Sequence, residues 1–437
     1  MNQFQCLPAT FLCIVLVLGI PVARAAEAAG HSQQLAALVA EALANNPEIA
    51  AARNELDAAQ QRVPAAGAFA DPMLELGVIN APIDSLNLER DEMTMKMLGL
   101  GQRLPFPGKR ELRRAVAAAD AASIALAVQE TSNRIARDVR VAYEELAFNE
   151  EARRIIVRTR GALEQLAALA RSRHEVGQAT QNDVLDAHIE LERLNIESLQ
   201  LAAENTALQK DLQRLLGRIG PAPLVNAAAP QLAADPETAP ASSNHAIDRR
   251  PQLLALESLV ERNTRAIDLA QREYYPDFDV KLQYGQRDRA PDGMPRDDMV
   301  SLTVGFNLPI WRKARLEPQV AEARALRRQA QDMLLAQQLE TQAELDSQLA
   351  LAQQWRKTAG LYQDTLLPQA RAAAASALAA YRVGRVDFLT LRLAQLREFE
   401  VSTDLARAIA SHNKAIAEVD LLVGRDRTQS GNESPAE

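Results

Sequence analysis

The chain has 437 residues, room for two or three ordinary domains. Only 4% of it is aromatic, and Ala, Leu, Gln, Arg and Glu dominate. That mixture argues against an ordinary enzyme and for long helices or coiled coil. A net charge of −8 removes the electrostatic case for nucleic acid, which calls for a basic face.

The first segment differs in kind from the rest. Phe11 to Ile20 (FLCIVLVLGI) is a short apolar core, followed by Pro21 and the small-x-small site Ala23-Arg24-Ala25. This is the pattern of a secretory signal, too short to cross a bilayer as a helix. It departs from that pattern in having no Lys or Arg before the core. Both cysteines, Cys6 and Cys13, lie in this removable segment, so the mature chain is expected to lack disulfides and thiol sites. No later apolar run is long enough for a transmembrane helix.

A helix is predicted over Gln33–Arg62, opening near Asn46-Pro47. Two short strands follow, Met73–Asn80 and Thr94–Leu104, separated by a polar loop. A long helical stretch, Gly108–Val176, comes next. At 1.5 Å per residue its roughly 68 residues span about 100 Å. A turn follows, and then a last helix, Asn182–Leu216, where Leu201, Leu208, Leu212 and Leu215 have coiled-coil spacing. The helices of about 30 and 35 residues, laid end to end, match the long one. The expected shape is a rod with strands at one end and the turns at the other.

Pro221 to Ala246 is too rich in Pro, Ala and Ser to hold a helix face, and then the series begins again. Asn46-Pro47 answers to Arg250-Pro251, Asp71-Pro72 to Tyr275-Pro276, Leu104-Pro105 to Leu308-Pro309, and Lys109 to Lys313. These share one offset of about 204 residues, which marks a duplication rather than a solenoid of short repeats. The second copy predicts a helix over Pro251–Arg272, a hairpin, a long helix over Lys313–Val383 and a last helix over Asp387–Val423. The chain therefore divides into a signal peptide (1–25), a first repeat (26–218), a linker (219–246), a second repeat (247–424) and a flexible tail (425–437). The hairpins occupy 73–104 and 277–308, and the turns 177–182 and 384–387.

The turns are the clearest part of the repeat: HEVGQATQND from His174, and YRVGRVDFLT from Tyr381. Gly177 and Gly384 can take the left-handed conformation that ends a helix. Thr180 and Asp387 sit at matching positions as N-caps of the returning helix. Each stretch reads as a tight helix–turn–helix tip.

The second-half strands alternate cleanly. Phe278, Val280, Leu282 and Tyr284 share one face, and Val300, Leu302, Val304, Phe306 and Leu308 share another. The repeat offset places Leu74, Leu76, Val78, Leu98, Leu100 and Leu104 on the matching face. Ten such residues tilted by about 45° rise roughly 23 Å, near the apolar band of an outer-membrane barrel. The bland reading is a pair of hairpins capping a helical bundle. Four strands cannot close a membrane barrel, which takes about eight or more. Two chains would supply eight strands around a filled interior, and three chains twelve around an aqueous path.

Other motifs carry less chemistry. Gly108-Lys109-Arg110 is no phosphate loop, because Arg103 and Arg110 stand where a Gly and a Ser or Thr are required. His31, His174, His188, His245 and His412 form no pair at metal-ligand spacing. Met93, Met95 and Met97 alternate, share a strand face toward the lumen, and carry thioethers that suit Cu(I). Methionine is also an ordinary filler residue. Asp183 and Asp186 begin the returning helix, where the helix dipole favours acidic residues.

Taken in order, these elements resemble the outer-membrane channels of the TolC type, over nearly all of the mature chain. The duplicated layout, the YPDF of Tyr275–Phe278 and the paired Val-Gly turns carry the likeness. The segment QRLPFPGKR (Gln102–Arg110) is similar to the CzcC-like branch that serves heavy-metal cation efflux. The resemblance implies a mainly α fold, an α-helical barrel crossing the periplasm below a 12-stranded β-barrel completed by a homotrimer. It implies an outer-membrane location with a large periplasmic portion. It also implies a passive duct without cofactor or catalysis, and partners in a periplasmic adaptor (membrane fusion protein), an inner-membrane RND pump and outer-membrane lipid. Lipid would meet Phe278, Val280, Leu282, Val300, Leu302 and Val304. The tip would be a gate, with Gly177, Thr180, Asp183, Asp186, Gly384, Arg385 and Asp387 as its candidate residues. In the family, aspartates at this spacing ring the entrance in the second repeat. Here they stand in the first, and their second-half counterparts are Thr390 and Leu393. The competing reading is a soluble periplasmic coiled-coil scaffold or adaptor, although no lipoyl-like insertion interrupts the helices.

Export makes one direct prediction. Protein recovered from the cell envelope should begin at Ala26, with net charge about −9 after loss of Arg24. N-terminal sequencing checks this, and an intact Met1 would contradict it.

Overall fold

The computed structural model describes residues 20–83, 88–89, 91–234 and 247–424, with side chains from residue 30 onward. Most of the expected signal peptide (1–19), the distal linker (235–246) and the tail (425–437) lie outside the described residues. The first half forms α1 (Ile20–Asn45), α2 (Pro47–Ala66), β1 (Met73–Ile79), β2 (Met95–Leu104), α3 (Lys109–Glu175) and α4 (Gln181–Leu215). The second half forms α5 (Pro251–Arg272), β3 (Phe278–Gln286), β4 (Met299–Phe306), α6 (Glu317–Leu361), α7 (Leu367–Arg382) and α8 (Phe388–Leu422).

Three predicted elements differ in detail. The helix expected over Gln33–Arg62 is broken at Asn46, which closes α1 and opens α2. Its side-chain oxygen accepts from the Glu48 amide at 2.8 Å, and its Nδ2 donates to the Leu215 carbonyl at 2.8 Å. The long helix expected over Lys313–Val383 is interrupted by π turns at Arg312–Leu316 and Tyr362–Leu366. Each turn ends two residues before a proline, Pro318 or Pro368. Proline has no N–H for the i−4 carbonyl and its ring crowds that carbonyl, so the chain shifts locally to i−5 bonds. Leu367 N–H thus reaches Tyr362 and Glu317 N–H reaches Arg312. Met93 lies in a turn ahead of β2 rather than on the strand.

The chain separates into two compact units. One comprises 51–130 and 251–340 and holds the sheet. Its strands lie in the order β1-β2-β3-β4, antiparallel throughout. The register puts Leu74 opposite Leu100, Leu100 opposite Leu282, and Leu282 opposite Leu302, a row of leucines running across all four strands. The next row joins Leu76, Leu98, Tyr284 and Val300. Cross-strand partners share a face, so the expected apolar face is present. The other face carries ion pairs, Lys281–Glu75 at 2.5 Å and Arg103–Asp279 at 3.2 Å.

At the foot of the sheet Lys109 is fully buried, although lysine is rarely so. Its ammonium donates to Asp277 Oδ1 at 2.8 Å, the Tyr275 carbonyl at 2.9 Å and Glu273 Oε2 at 3.1 Å. All three of its protons are therefore used. Asp277 also accepts from the Phe106 amide at 2.9 Å. Burial opposes ionisation of Asp277, but Lys109 and that amide together outweigh it and hold the carboxyl below its ordinary range. Behind this clamp, Ser123 of α3 donates to the Ala255 carbonyl of α5 at 2.9 Å. Asn263 of α5 donates to the Leu326 carbonyl of α6 at 3.1 Å.

The other unit comprises residues up to 50, 131–250 and 341–437. Its larger core joins Leu38, Val39 and Ala42 of α1 to Ile135, Val139, Tyr143 and Leu146 of α3 and to Leu212 and Leu215 of α4. The described part of the linker is irregular, as its composition predicts, but it is not loose. Val225 and Ala227 are buried in that core, and the Val225 backbone exchanges two hydrogen bonds with Gln209 at 2.7 and 3.0 Å.

The Lys109 clamp sets a stability prediction. Lys109→Met should cost roughly 3 kcal/mol, because it strands two carboxylates that a neutral side chain cannot satisfy. A depressed carboxyl contributes stability above its unfolded pKa and loses it as pH falls through the folded value. Melts of the detergent-solubilised protein should therefore lose stability below the ordinary carboxylate range, and lose less of it in Lys109→Met.

Candidate functional site

Two surfaces, one in each unit, carry the candidate residues. The first is the pair of helical turns. Both are Schellman turns: Gln178 N–H bonds to the Arg173 carbonyl at 2.7 Å, and Arg385 N–H to the Ala380 carbonyl at 2.9 Å. Gly177 and Gly384 sit at φ +72° and +75°, where a side chain would be strained. Three residues later each turn places its N-cap. Thr180 and Asp183 form a reciprocal capping box, and Asp387 accepts from the Thr390 amide at 2.9 Å. The Thr390 hydroxyl and amide hold the Asp387 carboxyl below its ordinary range.

Beneath the turns the two hairpins share a core of Leu163, Leu166, Ala170, Ala187, Leu194, Tyr381, Phe388 and Leu391. Charged groups tie them together. The Arg173 guanidinium, from the first hairpin, lies 4.7 Å from the Tyr381 ring centroid in the second and donates to the Tyr381 carbonyl. Arg392 of the second hairpin reaches Glu190 at 3.3 Å and Asp186 at 3.9 Å in the first. Glu190 is 4% exposed, so that pair is far better shielded from water than a surface bridge.

The candidate residues of the tip have different surroundings. Asp183 is engaged in capping its own helix. Asp186 faces Arg392 across the hairpins, and Arg385 stands exposed on its turn. Sequence reasoning missed Arg173, Glu190, Tyr381 and Arg392. The spacing of Asp186 and Glu190, four apart and so on one helix face, was the available signal.

The second surface is the apolar face of the sheet. Val300 and Leu302 are 70% and 69% exposed, and Leu74, Leu76, Leu98, Leu100, Leu282 and Val304 are exposed beside them. Phe278 and Val280 share this face but are half-buried. A patch of this size left in water is anomalous, and it marks a surface that something apolar covers. On the opposite face Met95 packs over Gly285, where an added Cβ would lie 2.5 Å from its sulfur, and Met97 lies against Gly77. These methionines fill space that glycines leave open.

The described histidines each have a partner nearby. His31 bonds to Glu144 at 2.9 Å, His412 to the Ala352 carbonyl at 2.9 Å, and His174 to the Ala179 carbonyl at 3.0 Å. His188 lies 3.4 Å from Arg171, and His245 is outside the described residues. Among the described residues no group of three or more His, Cys, Asp or Glu is placed to hold a metal ion. No helix among them is long and apolar enough to cross a membrane.

Comparison with known proteins places the family and the fold. The profile of the family described as outer membrane efflux protein matches residues 38–218 and, a second time, residues 243–425. Among solved structures, the fold is similar to that of the outer membrane protein VceC from Vibrio cholerae, at 17% identity and a TM-score of 0.73. That match covers 90% of this chain and 96% of VceC. CusC matches at 16% identity and a TM-score of 0.75, over 90% of this chain and 92% of its own. The MtrE outer membrane channel of Neisseria gonorrhoeae, in its open state, matches at 16% identity and 0.76, over 90% and 89%. No curated protein sequence matches the chain significantly.

Proposed function

The chain belongs to the outer membrane efflux protein family, and from that premise we propose how its two surfaces serve efflux. The protein is an outer-membrane channel component of a tripartite efflux system, not an enzyme. Channels of this family form trimers and work with a periplasmic adaptor and an inner-membrane pump.

The observation that carries the assembly is the sheet. One face is apolar and exposed, the other is ion-paired, and β1 and β4 each pair on one side only. In lipid every backbone group must find a partner, so two free edges require further strands. Three copies joined edge to edge give twelve strands with leucines outward and Lys281, Glu75, Arg103 and Asp279 around an aqueous lumen. The soluble scaffold reading leaves the leucine rows in water and gives the edges no partner. Leu302→Arg should block stable insertion, since a cation near the bilayer midplane costs about 2–4 kcal/mol per copy. Thr303→Arg, on the lumen face, should insert normally. Flotation with vesicles measures both, and equal behaviour would overturn the barrel.

The helical tips serve as the periplasmic gate. A channel through the periplasm must close when idle, and each chain brings two tips to serve that closure. Arg392 with Asp186 and Glu190, and Arg173 on Tyr381, hold the two tips of one chain together. Docking of an adaptor and an RND-type pump would release them. Arg392→Gln should raise single-channel conductance in planar bilayers, more than Arg385→Ala, whose side chain is exposed. Replacing Asp183 and Asp186 with Ala should weaken block by multivalent cations if either lines the entrance. Unchanged conductance in all these variants would leave the tips as structural turns. The likeness of Gln102–Arg110 to the CzcC-like branch supports heavy-metal cations as the substrate class. The packing of Met95 and Met97 on glycines favours a filler role for these thioethers over a ligand role.

A further inference from the structure

The two repeats carry one junction sequence with opposite fates. In the first, Leu104-Pro105 leads through Phe106 to Lys109. There Lys109 is enclosed by two carboxylates, and Phe106 stacks on Tyr275 at 4.7 Å. In the second, Leu308-Pro309 leads through Ile310 and Trp311 to Lys313, and the side chains face outward. Leu308, Ile310 and Trp311 are 66%, 68% and 72% exposed, and Arg312, Lys313 and Arg315 are exposed directly after them. The next residue, Leu316, is buried.

The order along this stretch is informative. Val300, Leu302, Val304 and Phe306 are exposed and apolar, then comes a single indole, then three cations within four residues. A leaflet has that order from its interior outward: acyl chains, an interfacial layer where indoles settle, then headgroup phosphates. The loops at the other end of the strands differ, with Glu89, Asp91, Glu92, Asp288, Asp292, Asp297 and Asp298 outnumbering their arginines. The cationic row therefore marks one end of the sheet, where helices begin. The Arg312 guanidinium lies 5.9 Å from the Tyr274 ring centroid, which helps to hold it at the surface.

We propose that residues 308–315 are a docking surface for anionic phospholipid in the periplasmic-side leaflet of the outer membrane. Trp311 sits at the glycerol level, and Arg312, Lys313 and Arg315 take the phosphates. The proposal rests on the reading of the sheet as part of a membrane barrel, and adds to it a headgroup preference confined to this junction. Charge complementarity and continuity with the lipid-facing strands favour a lipid over a second copy of the chain as the occupant.

The test uses Trp311 as its own reporter. The full mature chain carrying Trp355→Phe, which leaves Trp311 as the single tryptophan, is reconstituted into phosphatidylcholine vesicles. These contain equal fractions of either brominated phosphatidylglycerol or brominated phosphatidylcholine. Bromine should quench Trp311 more strongly on the anionic lipid. High salt should reduce that preference in the unmodified surface. The triple variant Arg312→Gln, Lys313→Gln, Arg315→Gln should lower it by at least roughly fivefold, the order expected from even one lost surface cation. Equal quenching by the two lipids, or a preference that survives both salt and the triple variant, would overturn the inference. So would absence of quenching in protein that floats with the vesicles, which would mean that a neighbouring copy covers Trp311. Protein that does not float at all would overturn the barrel reading itself, and this surface with it.

Discussion

The rest of the structure depends on one constraint, a four-stranded sheet whose apolar face is exposed. Its four strands satisfy each other internally, yet among the described residues β1 and β4 each present an unpaired edge beside an exposed apolar face. In water such an edge is a template for aggregation. In lipid it is worse, because no solvent is present to bond the free N–H and C=O groups. Further strands at both edges answer both problems, and copies of the same sheet are the strands we propose for them.

The junction below the sheet is held by a single buried cation. Lys109 spends all three ammonium protons on groups of a single short segment, Glu273, Tyr275 and Asp277. That segment enters β3, while Lys109 itself leaves β2 for α3. One buried cation thus fastens the first repeat to the second at the point where strands give way to helices. Its counterpart, Lys313, has no such enclosure and stays on the surface. Duplication provided two equivalent lysines, and their surroundings made one a clamp and left the other outward.

The tip follows a different logic. Its backbone is built twice by the same rule, a left-handed glycine followed three residues later by an N-cap. Its charges are not duplicated. The first hairpin supplies Asp186 and Glu190 and the second supplies Arg392, so the two halves of one chain complement each other. A symmetric pair would set like charges against like. Divergence after duplication is what makes the two tips attract.

Local patterns in the sequence were sufficient for most helix and strand positions, the capped glycine turns and the apolar face of the second-half strands. Each of these is written within a few residues, in side-chain periodicity or in the special backbone freedom of glycine and proline. The π turns were legible in principle, since each precedes a proline by two residues, but the long helical pattern hid them. Tertiary structure alone decided the strand order, which sets β2 beside β3 across nearly two hundred residues of chain. It alone buried Lys109 and brought Asp186 and Glu190 to Arg392. The reason is physical. A side chain's charge and shape are local properties, but its partner is whatever the folded chain brings within about 3 or 4 Å of it, and that distance is not encoded at any one position.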